Sequence, residues 1–142
     1  MELPDVNVLI YAFRKDSPHH AEAFAWLAGV IGGDEQFGVS PLALSALVRI
    51  TTNARFRQPS THAEAFAFCQ DLMDQPHCLF VEPGRDHWRI FSRLCIDANA
   101  TGPLVSDAWY AALAIEHGCE WITFDADFAR FPRLRWRMLA SV

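Results

Sequence analysis

The sequence lacks several features that mark other classes of protein. Its longest nearly uncharged apolar stretches, Val8 to Phe13 and Ala23 to Ile31, are too short to span a bilayer. The first five residues lack the basic start and the apolar run of a signal peptide, so we expect a cytoplasmic protein with no membrane partner. A glycine-rich phosphate loop and a G-x-G-x-x-G motif are absent, which argues against a nucleotide-binding or receiver-like domain.

Closely spaced cysteines are also absent from the sequence, and lysine is rare. The four cysteines have no C-x-x-C spacing, so we expect buried thiols and neither disulfides nor a zinc site. The formal net charge of −5 argues against coating nucleic acid by bulk attraction, but it permits local contacts with a few phosphates. Lys15 is the one lysine among twelve basic residues. The bias toward arginine, the better bidentate phosphate ligand, is either functional or an effect of genome composition.

What the sequence contains is the pattern of one α/β domain. Its 142 residues, of which 51% are hydrophobic and 20% charged, suffice for a single hydrophobic core. Short apolar runs alternate with helical patterns, and no repeat or linker divides them. This predicts a central parallel sheet of about five strands with helices on both faces. The strands are predicted at residues 2–5, 36–39, 78–81, 120–124 and 136–139.

The helices between these strands are predicted from capping residues and apolar spacing. A helical turn at 6–13 follows the first strand. Ser17, Ser40 and Ser106 are each predicted to cap a helix, Thr61 with Glu64 forms a capping box, and a further helix is expected at about 86–98. Three of these helices have an apolar face that is expected to meet the core. In the helix after Ser17 it consists of Phe24, Leu27, Ala28 and Ile31. In the helix after Thr61 it consists of Ala65, Phe68, Cys69 and Leu72, and in the helix at 86–98 of Trp88, Phe91, Cys95 and Ala98.

Three of the seventeen acidic residues, Asp5, Asp107 and Asp125, lie in apolar runs where a charge requires a partner. An unpaired buried carboxylate costs on the order of several kcal/mol. Asp5 and Asp125 end predicted strands, and Asp107 lies in the first turn of a predicted helix. If the first and fourth strands are neighbours, the three converge at the ligand crevice of an open α/β sheet. Such carboxylates repel one another unless a cation joins them, and oxygen ligands suit Mg²⁺ or Mn²⁺.

Each of these carboxylates also has an ordinary structural explanation. Asp5 would be a turn residue, Asp107 a helix-dipole partner and Asp125 a loop cap. For any one of them alone this interpretation is favoured, because caps are far commoner than metal ligands. For all three together, at strand ends and in apolar surroundings, a metal site is favoured.

Three motifs in chain order resemble those of PIN-domain ribonucleases. Residues 5–12, DVNVLIYA, are similar to the D-x-N-V-L-I-Y-A opening of that family. Residues 107–118, DAWYAALAIEHG, resemble its D-x-x-x-A-A-x-A-x-x-H-G helix, and residues 123–128, TFDADF, resemble its T-x-D-x-D-F ending. The closing residues 131–136, FPRLRW, resemble the VapC branch. The resemblance covers nearly the whole chain, and three motifs in order are far more specific than one.

The resemblance implies a single PIN domain over residues 1–142. It also implies a metal-dependent endoribonuclease that hydrolyses RNA phosphodiester bonds as the toxin of a toxin–antitoxin pair. Asp5, Asp107 and Asp125 would be the catalytic residues and would hold Mg²⁺, with Mn²⁺ as an alternative. Asn7 and Thr123 would be supporting polar groups. The implied partners are the RNA substrate, a VapB-like antitoxin and a second copy of the chain in a homodimer.

Two positions leave part of this interpretation open. The family has a glutamate on the helix after the second strand, where this chain has Ser45-Ala46, so metal affinity or a second metal position is in question. The alternative function is a catalytically weakened PIN domain that binds RNA or protein. A metal-dependent phosphatase or DNA nuclease on the same fold is a further alternative. Asp127, in the last motif, is expected to cap the following turn, with a supporting role near the metal as the alternative.

The histidines and thiols are given no catalytic role. No cysteine or serine stands beside an evident base in the sequence. His19 and His20 open a predicted helix and are expected at the surface. His117 lies near a helix C-terminus, where a cation is favoured and a structural role is ordinary.

The arginines and aromatic residues allow two interpretations each. A stripe on one helix is predicted for Arg85, Arg89 and Arg93. It could contact a phosphate backbone or an acidic partner. The alternative is a solvated face on which these arginines pair with Glu82 and Asp86. Eleven Phe and five Trp exceed what a small core plainly needs, which favours a dimer face or an antitoxin groove, although most fit core spacing. The same two interpretations as for the arginine stripe, a phosphate or partner contact and a solvated face, are open for Arg49, Arg55 and Arg57.

Overall fold

A five-stranded parallel sheet organises the chain. In the computed structural model, which describes residues 1–139, the strands are β1 (Glu2–Pro4), β2 (Phe37–Val39), β3 (Cys78–Phe80), β4 (Glu120–Thr123) and β5 (Trp136–Met138). Their order in the sheet is β3-β2-β1-β4-β5, and all neighbours run parallel. β1 and β4 are therefore adjacent, and the strand order reverses between them. In open α/β sheets this switch point is where ligands bind.

Helices cover both faces of the sheet, which confirms the predicted fold class. They are α1 (Val6–Phe13), α2 (His20–Gly32), α3 (Pro41–Thr51), α4 (His62–Met73), α5 (His87–Ala98) and α6 (Pro103–His117), and a 3₁₀ helix spans Ala126–Arg130. One hydrophobic cluster combines α1 to α4 with one face of the sheet, and a second combines α5 and α6 with the other. In β4, Ile122 enters the first cluster and Trp121 the second, because successive side chains of a strand point to opposite faces.

Two of the predicted caps form, and two do not. Ser40 accepts a hydrogen bond from the Ala43 amide, and the Thr61–Glu64 capping box is complete. The prediction that Ser17 caps a helix is wrong: its hydroxyl lies within hydrogen-bond distance of the Tyr11 and Arg14 carbonyl oxygens, and α2 begins only at His20. Ser106 is not a cap either, because α6 begins with a proline at position 103 and Ser106 lies inside the helix.

The predicted inward faces of α2 and α5 are wrong in part. In α2, Leu27 is buried as expected, but Phe24 is 53% exposed and Trp26 is buried instead. Trp26 is selected because its indole Nε1 donates to Glu2 at 2.9 Å, beside the sheet. The other two predicted core side chains of α2, Ala28 and Ile31, are exposed as well.

In α5 the buried residue is His87, and the neighbouring Trp88 is 72% exposed. His87 turns inward because its Nε2 donates to the Trp109 carbonyl oxygen at 3.0 Å and its ring packs edge-on against the Trp109 ring. Ile90 and Leu94 are the other buried residues of this helix, whereas Phe91, Cys95 and Ala98 are half-buried. Within residues 1–139, no helix combines the length and the apolar character needed to cross a bilayer.

Candidate metal centre

The site is built at the carboxyl ends of β1 and β4. Asp5 directly follows β1, and its amide donates to the Ile122 carbonyl oxygen at 2.8 Å, which ties it to the end of β4. Asp125 follows β4 by two residues, and Asp107 enters from α6. The adjacency of the first and fourth strands, on which the expected convergence of Asp5 and Asp125 depends, is thus observed.

Asp5 is held by hydrogen bonds on both carboxylate oxygens. Its Oδ1 accepts from the Val6 amide at 2.6 Å, so Asp5 is also the N-cap of α1. Its Oδ2 accepts from the Thr123 hydroxyl at 2.7 Å. The expected turn role and a place in an acidic site therefore coexist in this one residue.

Thr123 is the buried centre of this hydrogen-bond network. Its single hydroxyl proton goes to Asp5, and its oxygen accepts from the Asp125 amide at 3.0 Å and from Asn7 Nδ2 at 3.4 Å. Asn7 Oδ1 accepts in turn from the Phe124 amide at 3.3 Å. Thr123 and Asn7 thus fix the segment after β4 relative to Asp5.

Asp125, and not Asp127, caps the turn that follows β4. Asp125 is the N-cap of the 3₁₀ helix, and its Oδ1 accepts from the Asp127 amide at 2.8 Å. The expectation that Asp127 caps this turn is therefore wrong. Its exposed carboxylate instead belongs to a group in which ligand oxygens of Asp107, Asp125 and Asp127 all lie within 4.8 Å of one another.

Asp107 is the fifth residue of α6, not part of its first turn, so the helix-dipole explanation is weak. Its carboxylate accepts no hydrogen bond within the described chain. None of the ion pairs among residues 1–139 involves Asp5, Asp107, Asp125 or Asp127. Within this part of the chain, the acidic group therefore forms no ion pair that would neutralise it.

Burial and mutual repulsion raise the pKa of two of these carboxyls. The pKa of Asp5 is raised to about 6, chiefly by burial and also by the charges of Asp107 and Asp125, against the opposing hydrogen bonds from Thr123 and Val6. The pKa of Asp107 is also raised to about 6, by burial and then by Asp125 and Asp127. Asp5 thus lies within electrostatic range of Asp107 and Asp125, although it is not in the 4.8 Å group.

A cleft of about 530 Å³ opens beside Asp5 and Asp107. Its walls come mainly from α3 and the first half of α6, and the buried Asp5 is part of its lining. Ser45 and Ala46 line it, so the α3 positions where an acid was missing do face this cleft. Sequence reasoning did not identify Tyr110 and Trp109 as part of the cleft, because both fit the apolar spacing of α6.

The remaining sequence candidates lie elsewhere. His117 contacts the Glu82 carbonyl oxygen at 2.7 Å, a structural role as expected. His19 is half-buried and stacks on Phe124, so its expected place at the surface is wrong. Arg89 and Arg93 are exposed and lie 3.8 Å from Asp86 and Asp97, respectively. All four thiols are free. Those of Cys69 and Cys119 are buried, and those of Cys78 and Cys95 are half-buried.

Comparison with known proteins gives one family. The family model described as "PIN domain" matches residues 3–134. "Ribonuclease VapC25" of Mycobacterium tuberculosis is 42% identical over 136 residues, covering 95% of this chain and 96% of that protein. "VapC ribonuclease Mb2897" of Mycobacterium bovis is 38% identical over 134 residues, covering 94% and 91%.

Solved structures have the same fold at much lower identity. VapBC2 from Rickettsia felis, bound to a DNA fragment from its promoter, matches with a TM-score of 0.69 at 14% identity over 98% of each chain. A toxin–antitoxin complex from Klebsiella pneumoniae matches with a TM-score of 0.66 at 19% identity over the whole of both chains. At these identities the likeness concerns the fold.

Proposed function

The chain belongs to the PIN-domain family, in its VapC branch, and from this premise we propose that it is a metal-dependent endoribonuclease, the toxin of a toxin–antitoxin pair. The observation that carries the proposal is the group of Asp107, Asp125 and Asp127 carboxylates within 4.8 Å, unpaired with any base in residues 1–139 and next to buried Asp5. It lies at the switch point of the sheet, beside a cleft. Relatives at about 40% identity bear the name ribonuclease.

The residues present fit a divalent cation with oxygen ligands. Four carboxylates with no basic partner form a site that is electrostatically unfavourable when all are ionised. Asp5, Asp107 and Asp125 would hold Mg²⁺ or Mn²⁺, and Asp127 is placed to contribute. When bound, such a cation acidifies a water molecule and neutralises charge that develops on a phosphate.

The protein's own residues then serve to orient the site and the substrate. Thr123 holds Asp5 and the segment that carries Asp125 in one arrangement, and Asn7 secures Thr123. Among the described residues, the cleft is lined by no histidine, lysine or cysteine, and the hydroxyls of its two serines, Ser45 and Ser106, make no hydrogen bond to a base. The carboxylates are therefore the groups through which this site can act on a phosphodiester.

The test is cleavage of a labelled RNA pool by the purified protein in Mg²⁺ or Mn²⁺, with EDTA as the blank. We expect cutting that EDTA abolishes and that Asp107→Asn reduces by at least about ten- to a hundredfold, because even the loss of a residue that supports a metal ligand has an effect of that size. The matched control is Asp71→Asn, because Asp71 is an exposed aspartate of α4 outside the cleft and should leave cleavage unchanged. RNA left intact by the folded wild type in both metals would contradict the proposal.

The absence of an acid at Ser45 and Ala46 supports a second candidate, a PIN domain that binds RNA or protein without cutting. RNA binding without cleavage in either metal would favour it. A panel of RNA, DNA and a small phosphoester separates the ribonuclease from a DNA nuclease or a phosphatase on the same fold.

The partners proposed are RNA, a VapB-like antitoxin and a second copy of the chain, all met in the cytoplasm. Support comes from the toxin–antitoxin complexes among the structural neighbours and from exposed large apolar side chains. The most exposed of these aromatic side chains are Phe24, Phe66, Phe80 and Trp88. Light scattering of the purified chain should give the mass of a dimer, and the mass of one chain would contradict the homodimer.

A further inference from the structure

One positive charge in the cleft has no role in the site described so far. Arg49 lies in the last turn of α3 and lines the cleft together with Asp5 and Asp107. It is exposed, and its guanidinium makes no hydrogen bond or ion pair with residues 1–139. It is also the one basic side chain among the described residues that line this cleft.

The placement of Arg49 follows from the periodicity of α3. The α3 residues that line the cleft recur at intervals of three and four, which is one face of a helix. Arg49 lies one turn beyond Ser45 and Ala46 on that face. The site at which the resemblance implies a glutamate is thus neutral here, and one turn further toward the C-terminus the same face carries a cation.

Tyr110 shows that this cation and the acidic site share one electrostatic environment. Burial is the main cause that raises the pKa of Tyr110 to about 12, and the charge of Asp5 raises it further, whereas the charge of Arg49 lowers it. Tyr110 itself lines the cleft. Arg49 thus lines the same cleft as the carboxylates of Asp5 and Asp107.

We propose that Arg49 binds a phosphate of the RNA strand in the cleft and so positions the strand against the carboxylate site. A chain with a net charge of −5 and three clustered carboxylates repels a polyanion unless a fixed cation compensates locally. An unpaired guanidinium is suited to this because its planar fork can contact two phosphate oxygens at once. This inference rests on the proposed RNA substrate, but not on cleavage.

The test measures binding before cutting. A fluorescent mixed-sequence single-stranded RNA of twelve nucleotides is titrated, in EDTA and at several salt concentrations, with wild type, Arg49→Ala, Arg49→Lys and the control Arg133→Ala. Arg133 is exposed and precedes β5, so it lies toward the end of the sheet opposite the carboxylate site. Its replacement by alanine changes the net charge by the same amount as Arg49→Ala. We expect Arg49→Ala to raise Kd about ten- to a hundredfold, Arg49→Lys to fall between, and Arg133→Ala to stay near wild type.

Two further readouts separate phosphate binding from a structural role. The slope of log K against log salt concentration should fall by about 0.7 in Arg49→Ala, the value for one lost contact on a single strand. In cleavage assays KM should rise while kcat changes little, because the contact exists before the reaction. Equal Kd and equal salt slope in Arg49→Ala and wild type would overturn the assignment, whether or not the protein cuts RNA. A wild type that binds no RNA would overturn the substrate proposal as well.

Discussion

Asp107 is the residue at which the loss of folding stability caused by the acidic site should be easiest to measure. Its carboxylate accepts no hydrogen bond within residues 1–139, so replacing it with the isosteric amide breaks no hydrogen bond there. The replacement also removes a charge that burial, Asp125 and Asp127 all disfavour. We expect Asp107→Asn to stabilise the metal-free protein at pH 8 by about 1 kcal/mol after allowance for solvent screening, or about 3 °C in Tm. Thermal melts in EDTA measure this.

The pH dependence supplies the check on that prediction. The pKa of Asp107 in the fold, about 6, exceeds its ordinary value of 3.8, so the destabilisation of the wild type by Asp107 builds up as pH rises from 3.8 and is complete only above about pH 6. The stabilisation by Asp107→Asn should therefore shrink toward zero by pH 4. An increase in Tm of equal size at pH 4 and pH 8 would show that charge is not its cause.

Thr123 should control the protonation of Asp5 through one hydrogen bond. Thr123→Val keeps the shape but removes the hydroxyl that donates to Asp5 and accepts from the Asp125 amide. We expect a loss of about 2 kcal/mol of stability, because a buried charged group and an amide lose their partner. We also expect the pKa of Asp5 to rise above about 6, because that hydrogen bond now lowers it.

Metal titration is the measurement for Thr123. Mn²⁺ binding by Thr123→Val, followed by calorimetry, should be weakened most near pH 6 and should recover partly by pH 8.5, since binding requires the ionised carboxylate. Thr123→Ser keeps the hydroxyl and should bind Mn²⁺ as the wild type does. A defect of the same size at every pH would mean that Thr123 acts only through packing.

At the scale of secondary structure, the start of α6 decides where Asp107 points. Gly102 precedes the helix with φ +57 and ψ −135, a conformation that only glycine adopts readily. Gly102→Ala should therefore cost about 1–3 kcal/mol, with space for the methyl group available but the backbone strained. It should also weaken Mn²⁺ binding, because α6 carries Asp107.

The matched control for Gly102 has the opposite expected sign. Gly29 lies inside α2, is exposed and has nothing within 4 Å of an added methyl group. Gly29→Ala should stabilise the protein by about 0.5–1 kcal/mol through helix propensity. Urea denaturation of both variants checks the pair, and a Gly102→Ala protein as stable as wild type would exclude the strain.

The same elements show how far the sequence predicts the fold and the site. The placement of Asp5 and Asp125 at strand ends was predictable because each acid ends an apolar run, whereas their convergence depended on a strand order that the sequence does not specify and that the structure supplies. The face of α2 was not, because almost every residue in it is apolar and several stripes fit; the indole contact of Trp26 with Glu2 decides between them. The cap of the 3₁₀ helix was not predictable either, since Asp125 and Asp127 both suit the role and only backbone geometry distinguishes them.

At the scale of the whole molecule, the site joins parts of the chain that belong to different hydrophobic clusters. Asp5 precedes α1, which packs on one face of the sheet, whereas Asp107 belongs to α6 on the other face. A cation held by Asp5, Asp107 and Asp125 would therefore stabilise the whole domain and not one loop. Ligand linkage predicts about 2.7 kcal/mol at a metal concentration one hundred times Kd, seen as one cooperative transition at higher Tm.

The sign of the pH dependence distinguishes this metal effect from the intrinsic cost of the acids. In the metal-free protein the raised pKa values of Asp5 and Asp107 favour the fold below pH 3.8, and that contribution is lost as pH rises through about 6. A bound cation competes with those protons, so its stabilisation should instead grow from pH 5 to pH 8. Scanning calorimetry with Mn²⁺ and with EDTA at both pH values gives the difference directly. We expect a larger Mn²⁺-dependent shift in Tm at pH 8, absent from Asp107→Asn; a shift that is equal at the two pH values, or that survives in that variant, would place the cation outside the acidic site.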